Sequence, residues 1–311
     1  MKKDFYWYKI YSIKGIGPKR LYRIYELLKK ENISIEQLFE KKEFLNDIKF
    51  IDLINLKNSS EVTEDLYNLL KKKNIEIISF ENENYPKKLR TRLKDEAPPI
   101  LFVLGKTSIL NSKSLAIIGS RNASQKALSI AREFAFSLAS NGYTIISGYA
   151  KGIDTEAHIG SLEGGGSTIM VLSYGILEFK LKQSLKNKLW EKRITAISQF
   201  HPKEKWKAAN AMKRNSVVCG ISEGVIVIES GPERDEKGRS SGTFQGGLTA
   251  LSLNIPLFVL SPKILGYSAR GNIELIKKGG IEIQTWEDIV NFFKERKLKK
   301  KIEKLVQPKL F

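Results

Sequence analysis

The stretch "LAIIGSRNAS", Leu115 to Ser124, runs four apolar residues into Gly119, Ser120 and Arg121 and then into a polar, helix-like segment. A short continuous apolar run ending on glycine reads as an interior strand followed by a tight turn. Downstream, "QKALSIAREFAFSLASNG" sets Ala127, Ala131, Phe134, Ala135 and Leu138 in one stripe of a helix that Gly142 can end. Such a turn suits an anion. Glycine lets a phosphate approach the backbone, the Ser120 hydroxyl can donate, and the Arg121 guanidinium can clasp two phosphate oxygens at once. A plain turn with an exposed arginine has the same sequence, so the tripeptide alone does not decide between them.

Outward from this unit, the same rhythm of short apolar runs and helical stretches continues from Ile75. The candidate strands are "IEIISF", "ILFVLG", "SLAIIG", "YTIISG", "STIMVLS", "RITAIS", "GVIVIES", "IPLFVLS" and "IEIQTW". Several are continuously apolar, as in strands covered on both faces, and the gaps between them are long enough for crossover helices. The predicted fold is α/β: an extended Rossmann-like, doubly wound, mostly parallel sheet over residues 75–290. Its ligand belongs outside the carboxyl ends of the strands.

Residues 1–72 have a different character. "YRIYELLKK", "SIEQLFE" and "TEDLYNLLKKK" show helical spacing with no convincing strand, which predicts a small, separable all-helical module. Within it, "IKGIGPKRLYRIYELL" places Gly15 and Gly17 in a turn and Pro18 at a first helical position. The pattern resembles a helix-hairpin-helix, in which Gly15 and Gly17 free backbone amides for a phosphate and Lys19 and Arg20 add charge. A glycine hairpin joining two bundle helices fits equally well. Residues 291–311 form a basic C-terminal tail: "KERKLKKKIEK", Lys294 to Lys304, carries seven basic and two acidic residues, as a solvated helical terminus often does.

Composition narrows the chemistry. The 311 residues carry 53 Lys and Arg against 34 Asp and Glu, a formal net charge of +19 that attracts polyanions. Cys219 is the only cysteine and His158 and His201 the only histidines, which excludes an intrachain disulfide and argues against a zinc site. The opening "MKKDFYWYKIYSIKG" lacks an apolar core of signal-peptide length, and no run reaches the length of a membrane span. A cytoplasmic protein without a membrane partner is expected.

Further loops enlarge the predicted anion pocket. "SGYAKGIDTEAH" supplies Ser147, Gly148, Lys151 and Gly152, with Asp154 a candidate N-cap; "KRN", just before another helix, supplies Lys213, Arg214 and Asn215; "SSGT" supplies Ser241, Gly242 and Thr243. Together these loops describe a site larger than one phosphate needs.

These motifs, with "LAIIGSR", "SGYAKGIDTEAHIGSLEGGGSTIMVLSYG", "GVIVIES" and "GNIELIKKGG" in this order, resemble the DprA (Smf) family of DNA-processing proteins, and "YPKKLRTRLKDEAPPILFVLG" resembles its lead-in. The resemblance covers roughly Ile75 to Trp286. It implies a protein that binds single-stranded DNA without consuming it, hands it to the RecA recombinase and forms a homodimer. It also implies that Ser120, Arg121 and Lys213 or Arg214 hold DNA phosphates, with Gly119, Ser147, Gly148 and Gly152 shaping the pocket. The chain departs from the family pattern at Ser216, at Gln199 after Ser198, at Leu260 to Pro262, and in an added polar loop, "GPERDEKGR", Gly231 to Arg239. It reads as a divergent member.

The alternative is a nucleotide sensor or an enzyme like the nucleoside-monophosphate phosphoribohydrolases. Gly242 and Thr243 echo that pattern, but Gly246 stands where the catalytic glutamate belongs. Other leads are weaker. "GRSSG", Gly238 to Gly242, matches a nucleophile elbow but lacks the preceding strand. "GKT" at Gly105 to Thr107 lacks the first glycine of a P-loop. His158 reads as a packed or hydrogen-bonded histidine. Glu156 and Glu163 lie too far apart for a catalytic pair. No catalytic residue, cofactor or metal ligand is predicted.

Overall fold

The computed structural model describes residues 2–40, 56–187 and 191–306. All nine predicted strands are present: β1 (Ile75–Ser79), β2 (Ile100–Leu104), β3 (Ser114–Ile118), β4 (Thr144–Ser147), β5 (Thr168–Val171), β6 (Ile194–Ser198), β7 (Val225–Val227), β8 (Leu257–Leu260) and β9 (Ile281–Ile283). They form one sheet in the order β1-β2-β6-β5-β4-β3-β7-β8-β9. From β6 across to β9 every pairing is parallel, while β2 runs antiparallel to both β1 and β6. The winding leaves β3, moves outward through β4, β5 and β6, and then returns to β7 on the other side of β3. This is a doubly wound Rossmann-like sheet whose switch point lies between β3 and β7.

The helices are α1 (Lys2–Tyr11), α2 (Pro18–Lys30), α3 (Ile35–Glu40), α4 (Leu56–Lys72), α5 (Lys87–Leu93), α6 (Gln125–Ser140), α7 (Ile153–Glu163), α8 (Ala208–Ile221), α9 (Gly242–Ser252), α10 (Pro262–Leu265), α11 (Arg270–Lys277) and α12 (Trp286–Val306). Alternation along β3 shows how the sheet is covered. Leu115 and Ile117 pack with the α6 stripe and with Ile153, Ala157 and Ile289. Ala116 and Ile118 pack on the other face with Leu89, Val217, Val218, Phe244 and Leu275. The α6 stripe is the predicted one, capped by the Ser124 hydroxyl, which accepts from the Ala127 amide.

The N-terminal helices share a core with the sheet. Trp7, Tyr8, Leu21, Leu28 and Leu70 belong to the same apolar cluster as Ile77, Phe102, Met170 and Ile194. Tyr8 meets Phe102 edge-on at 5.2 Å, and the buried Asp4 carboxylate accepts from the Ser79 amide and hydroxyl at 2.8 and 2.7 Å. The secondary structure changes between Lys72 and Ile75, where the composition does, and the packing runs across that point. The expected boundary at residue 291 falls inside α12, so the start of the basic segment is a continuation of the helix that packs beside β9.

Candidate nucleic-acid interface

The carboxyl ends of β3 and β7 open a cleft of about 780 Å³, lined by the turn after β3, the first turns of α8, and the loop from β7 into α9. Diverging crossovers at a switch point leave this gap by topology alone. Gly119 lets the β3 turn close on α7, because a Cβ there would overlap the Ile153 side chain. The Ser120 amide donates to the Glu229 carbonyl at 2.8 Å, and its hydroxyl accepts from the Asn122 amide at 3.2 Å. That leaves the hydroxyl's own proton and the exposed Arg121 side chain to face a ligand.

The amides at the start of α6 do not face the cleft as an open anion slot. The Glu229 carboxylate, only 3% exposed, accepts from both the amide and the hydroxyl of Ser124, the latter at 2.7 Å. A carboxylate beside a helix N-terminus is favoured by the unpaired amides and the helix dipole. The protein therefore supplies its own anion there, and the cleft's charge comes from side chains.

Arg214 forms the floor. It is 6% exposed, its Nη1 lies 3.8 Å from the Asp154 carboxylate, and its Nε has no hydrogen-bond partner. Burial lowers its pKa from the ordinary arginine value, Asp154 opposes that, and the charge of Arg121 adds to the lowering. Arg121 and Arg214 thus repel each other across the cleft, and an anion between them would relieve both. Asn215 positions the opposite wall: its Nδ2 donates to the Gly242 carbonyl at 3.0 Å. There the Ser241 hydroxyl caps α9 by accepting from Phe244, and Gly242 and Thr243 line the cleft with the first turn of that helix.

Several predicted residues serve the site from behind. Ser147 is fully buried and donates its hydroxyl to the Ile117 carbonyl at 2.6 Å, stitching β4 to β3. Gly148 leaves the space that the Arg214 guanidinium fills. Gly152, at φ +72°, packs on the backbone carbonyls of Ser120 and Arg121 and is the N-cap of α7. The expectation that Asp154 caps this helix is corrected: it lies in the first turn, and its carboxylate reaches back to the Ala150 amide at 3.1 Å while facing Arg214. The placement of Lys213, Arg214 and Asn215 before a helix is also corrected. They lie in the middle of α8, because no glycine or proline interrupts the chain between Ala208 and Cys219. Helical spacing then turns Arg214 inward and leaves Lys213 exposed outside the cleft lining, as Lys151 is.

Other features bear on the site. Trp206 is 52% exposed on the rim, with the Arg121 guanidinium carbon 5.8 Å from its ring centroid. The sequence signal was its position as the lone large apolar residue in "PKEKWK". The added loop forms a wall through Gly231, Pro232, Asp235 and Arg239, with Arg239 Nε donating to Asp235 at 2.7 Å. At Gly246 a Cβ would lie 2.8 Å from Ile118 Cδ1, so a side chain there would have to displace that methyl group. His158 is fully buried, within 2.7 Å of the Thr168 hydroxyl, and burial drives its pKa down to about 3, so it stays neutral. Gly15, at φ +92°, and Gly17 lie in the α1–α2 connection and Lys19 and Arg20 in the first turn of α2, all away from the cleft lining, and Lys19 pairs with Glu96 at 3.6 Å. Among the described residues no cluster of three His, Cys, Asp or Glu could hold a metal, and no helix is long and apolar enough to cross a membrane.

Comparison with known proteins agrees with this architecture. The Smf protein of Escherichia coli is 32% identical over 223 residues, covering 71% of this chain, and this chain spans 57% of its length. The DNA processing protein DprA of Bacillus subtilis is 28% identical over 224 residues, covering 71% of this chain and 72% of its own. The solved DprA of Streptococcus pneumoniae superposes over 93% of this chain and 97% of its own with a TM-score of 0.69 at 24% identity, a likeness of fold. DNA processing protein A of Helicobacter pylori, solved for its mode of binding single-stranded DNA, covers 71% of this chain and 97% of its own with a TM-score of 0.58 at 26% identity. Residues 76–294 match the family described as DNA recombination-mediator protein A, and the chain belongs to that DprA (Smf) family.

Proposed function

We propose that the chain is a single-stranded DNA-binding protein of DNA processing, in natural transformation or recombination, which grips phosphates in the β3–β7 cleft. The observation that carries the reading is the meeting of an exposed guanidinium, Arg121, and a buried one with an unpaired Nε, Arg214, beside the start of α9. Asp154 at 3.8 Å meets one end of this buried guanidinium and leaves its Nε unpaired, so a further anion in the cleft would be favourable. Ser120, Ser241 and Thr243 add hydroxyls, exposed Lys151 and Lys213 extend the basic surface, and Gly15, Gly17, Lys19 and Arg20 form a secondary contact. The strand's recipient is the RecA recombinase and the working unit a homodimer in the cytoplasm; both extend the family membership. The protein acts by binding rather than catalysis, a view supported by Gly246, where a phosphoribohydrolase would carry its glutamate, and by the structural role of His158.

The test is a salt titration of binding to a labelled oligothymidine, with duplex DNA and AMP as competitors. Affinity should fall steeply with salt as phosphate counterions are released, and duplex should compete weakly. An affinity indifferent to salt, or AMP binding tighter than the oligonucleotide, would replace this reading with nucleotide sensing.

A further inference from the structure

We infer that Trp206 is a stacking platform for a nucleobase, so that the cleft takes a nucleotide unit, base and phosphate together. The inference rests on the strand-binding reading above. Tryptophan contributes to folding mainly by burying its large apolar surface, yet Trp206 stays 52% exposed. Its neighbours Lys203, Lys205 and Lys207 are exposed too, so the indole has no apolar packing of its own segment to join. It lies on the cleft rim beside Arg121, and the cleft continues from it over Ala208, Ala211 and the 40% exposed Met212.

A phosphate chain alone would need none of this apolar surface. A planar ring would use all of it: small alanines leave space beside the indole, and methionine adapts to an aromatic face. Because Arg121 is 5.8 Å from the indole centroid, a phosphate held by its fork brings an adjoining base within reach of the ring. Arg121 can keep its cation–π contact while its N–H groups turn to the phosphate. Stacking of this kind tolerates any base, which suits a protein that must accept any sequence.

The experiment compares oligothymidine with an equally long abasic oligomer, which has the same phosphates, on full-length wild type, Trp206→Ala and Trp206→Phe. Wild type should prefer oligothymidine, and Trp206→Ala should lose roughly 5- to 150-fold in affinity for it, the range for one base stack, while its affinity for the abasic strand and its salt slope stay unchanged. Trp206→Phe should keep most of the preference and abolish the quenching of tryptophan emission on binding. If wild type binds both oligomers equally, or Trp206→Ala keeps the preference, the inference is overturned while phosphate binding stands. If wild type binds neither, the strand-binding reading fails first.

Discussion

The Arg214 guanidinium occupies the space into which a side chain at Gly148 would project. The missing side chain after β4 and the buried cation on α8 are one device. Gly148→Ala should push Arg214 off Asp154, weakening oligothymidine binding and costing about 1–3 kcal/mol of stability as an overpacked site. In an Arg214→Ala background the same glycine change should cost much less, with a coupling of about 0.5–3 kcal/mol in a double-mutant cycle. Additive effects, measured by denaturant unfolding, would show that the two residues are independent.

Arg121→Ala should damage binding far more than folding. An exposed arginine contributes within about ±0.5 kcal/mol to stability, whereas a charge-assisted hydrogen bond to phosphate is worth roughly 1.5–3 kcal/mol. Arg121→Lys should recover only part of the affinity, because an ammonium cannot reproduce the two-pronged contact. Lys126→Ala, an exposed cation on α6 outside the cleft, is the control. Equal affinity in wild type and Arg121→Ala would make Gly119 to Arg121 a structural turn.

Buried His158 predicts a definite acid sensitivity. Burial lowers its folded pKa to about 3, below the unfolded value of 6.5, so between these values the unfolded chain binds the proton and the native one does not. Its neutral form costs nothing above pH 6.5, and stability should then fall by up to about 1.4 kcal/mol per pH unit as acidity rises toward pH 3. Thermal midpoints between pH 7.5 and 4 should decline more steeply for wild type than for His158→Gln, even though the variant is less stable at pH 7.5. Parallel declines would assign the acid sensitivity to other groups.

Removing residues 1–74 should leave the parallel sheet folded but uncover Ile77 on β1 and Phe102 on β2, the strands on which the N-terminal helices pack. Each such side chain is worth about 1.5–3 kcal/mol when fully buried. The fragment from Ile75 should show native-like circular dichroism, a lower thermal midpoint, and binding of an apolar dye that the full chain lacks. An unchanged midpoint would mean that the shared core contributes nothing to the sheet.

Local patterns in the sequence were enough to determine the strands, the α6 stripe, the glycine turns and the doubly wound class. A strand covered on both faces must be apolar throughout, and a helix must repeat its apolar face every three or four residues. The turn Gly119–Arg121 was legible for the same reason, since its residues are contiguous. What lay beyond reach depended on partners far apart in the chain. Ser124 and Glu229 are 105 residues apart, and only the parallel pairing of β3 with β7 brings that carboxylate onto the N-cap of α6. Arg214 is buried because continuous α8 turns it toward Gly148 and Asp154, whereas its sequence neighbours suggested a loop. Trp206 and the added loop gained meaning in the same way: neither fits a periodic pattern, and both became cleft walls once the sheet had placed α8 and α9 on either side of the switch point.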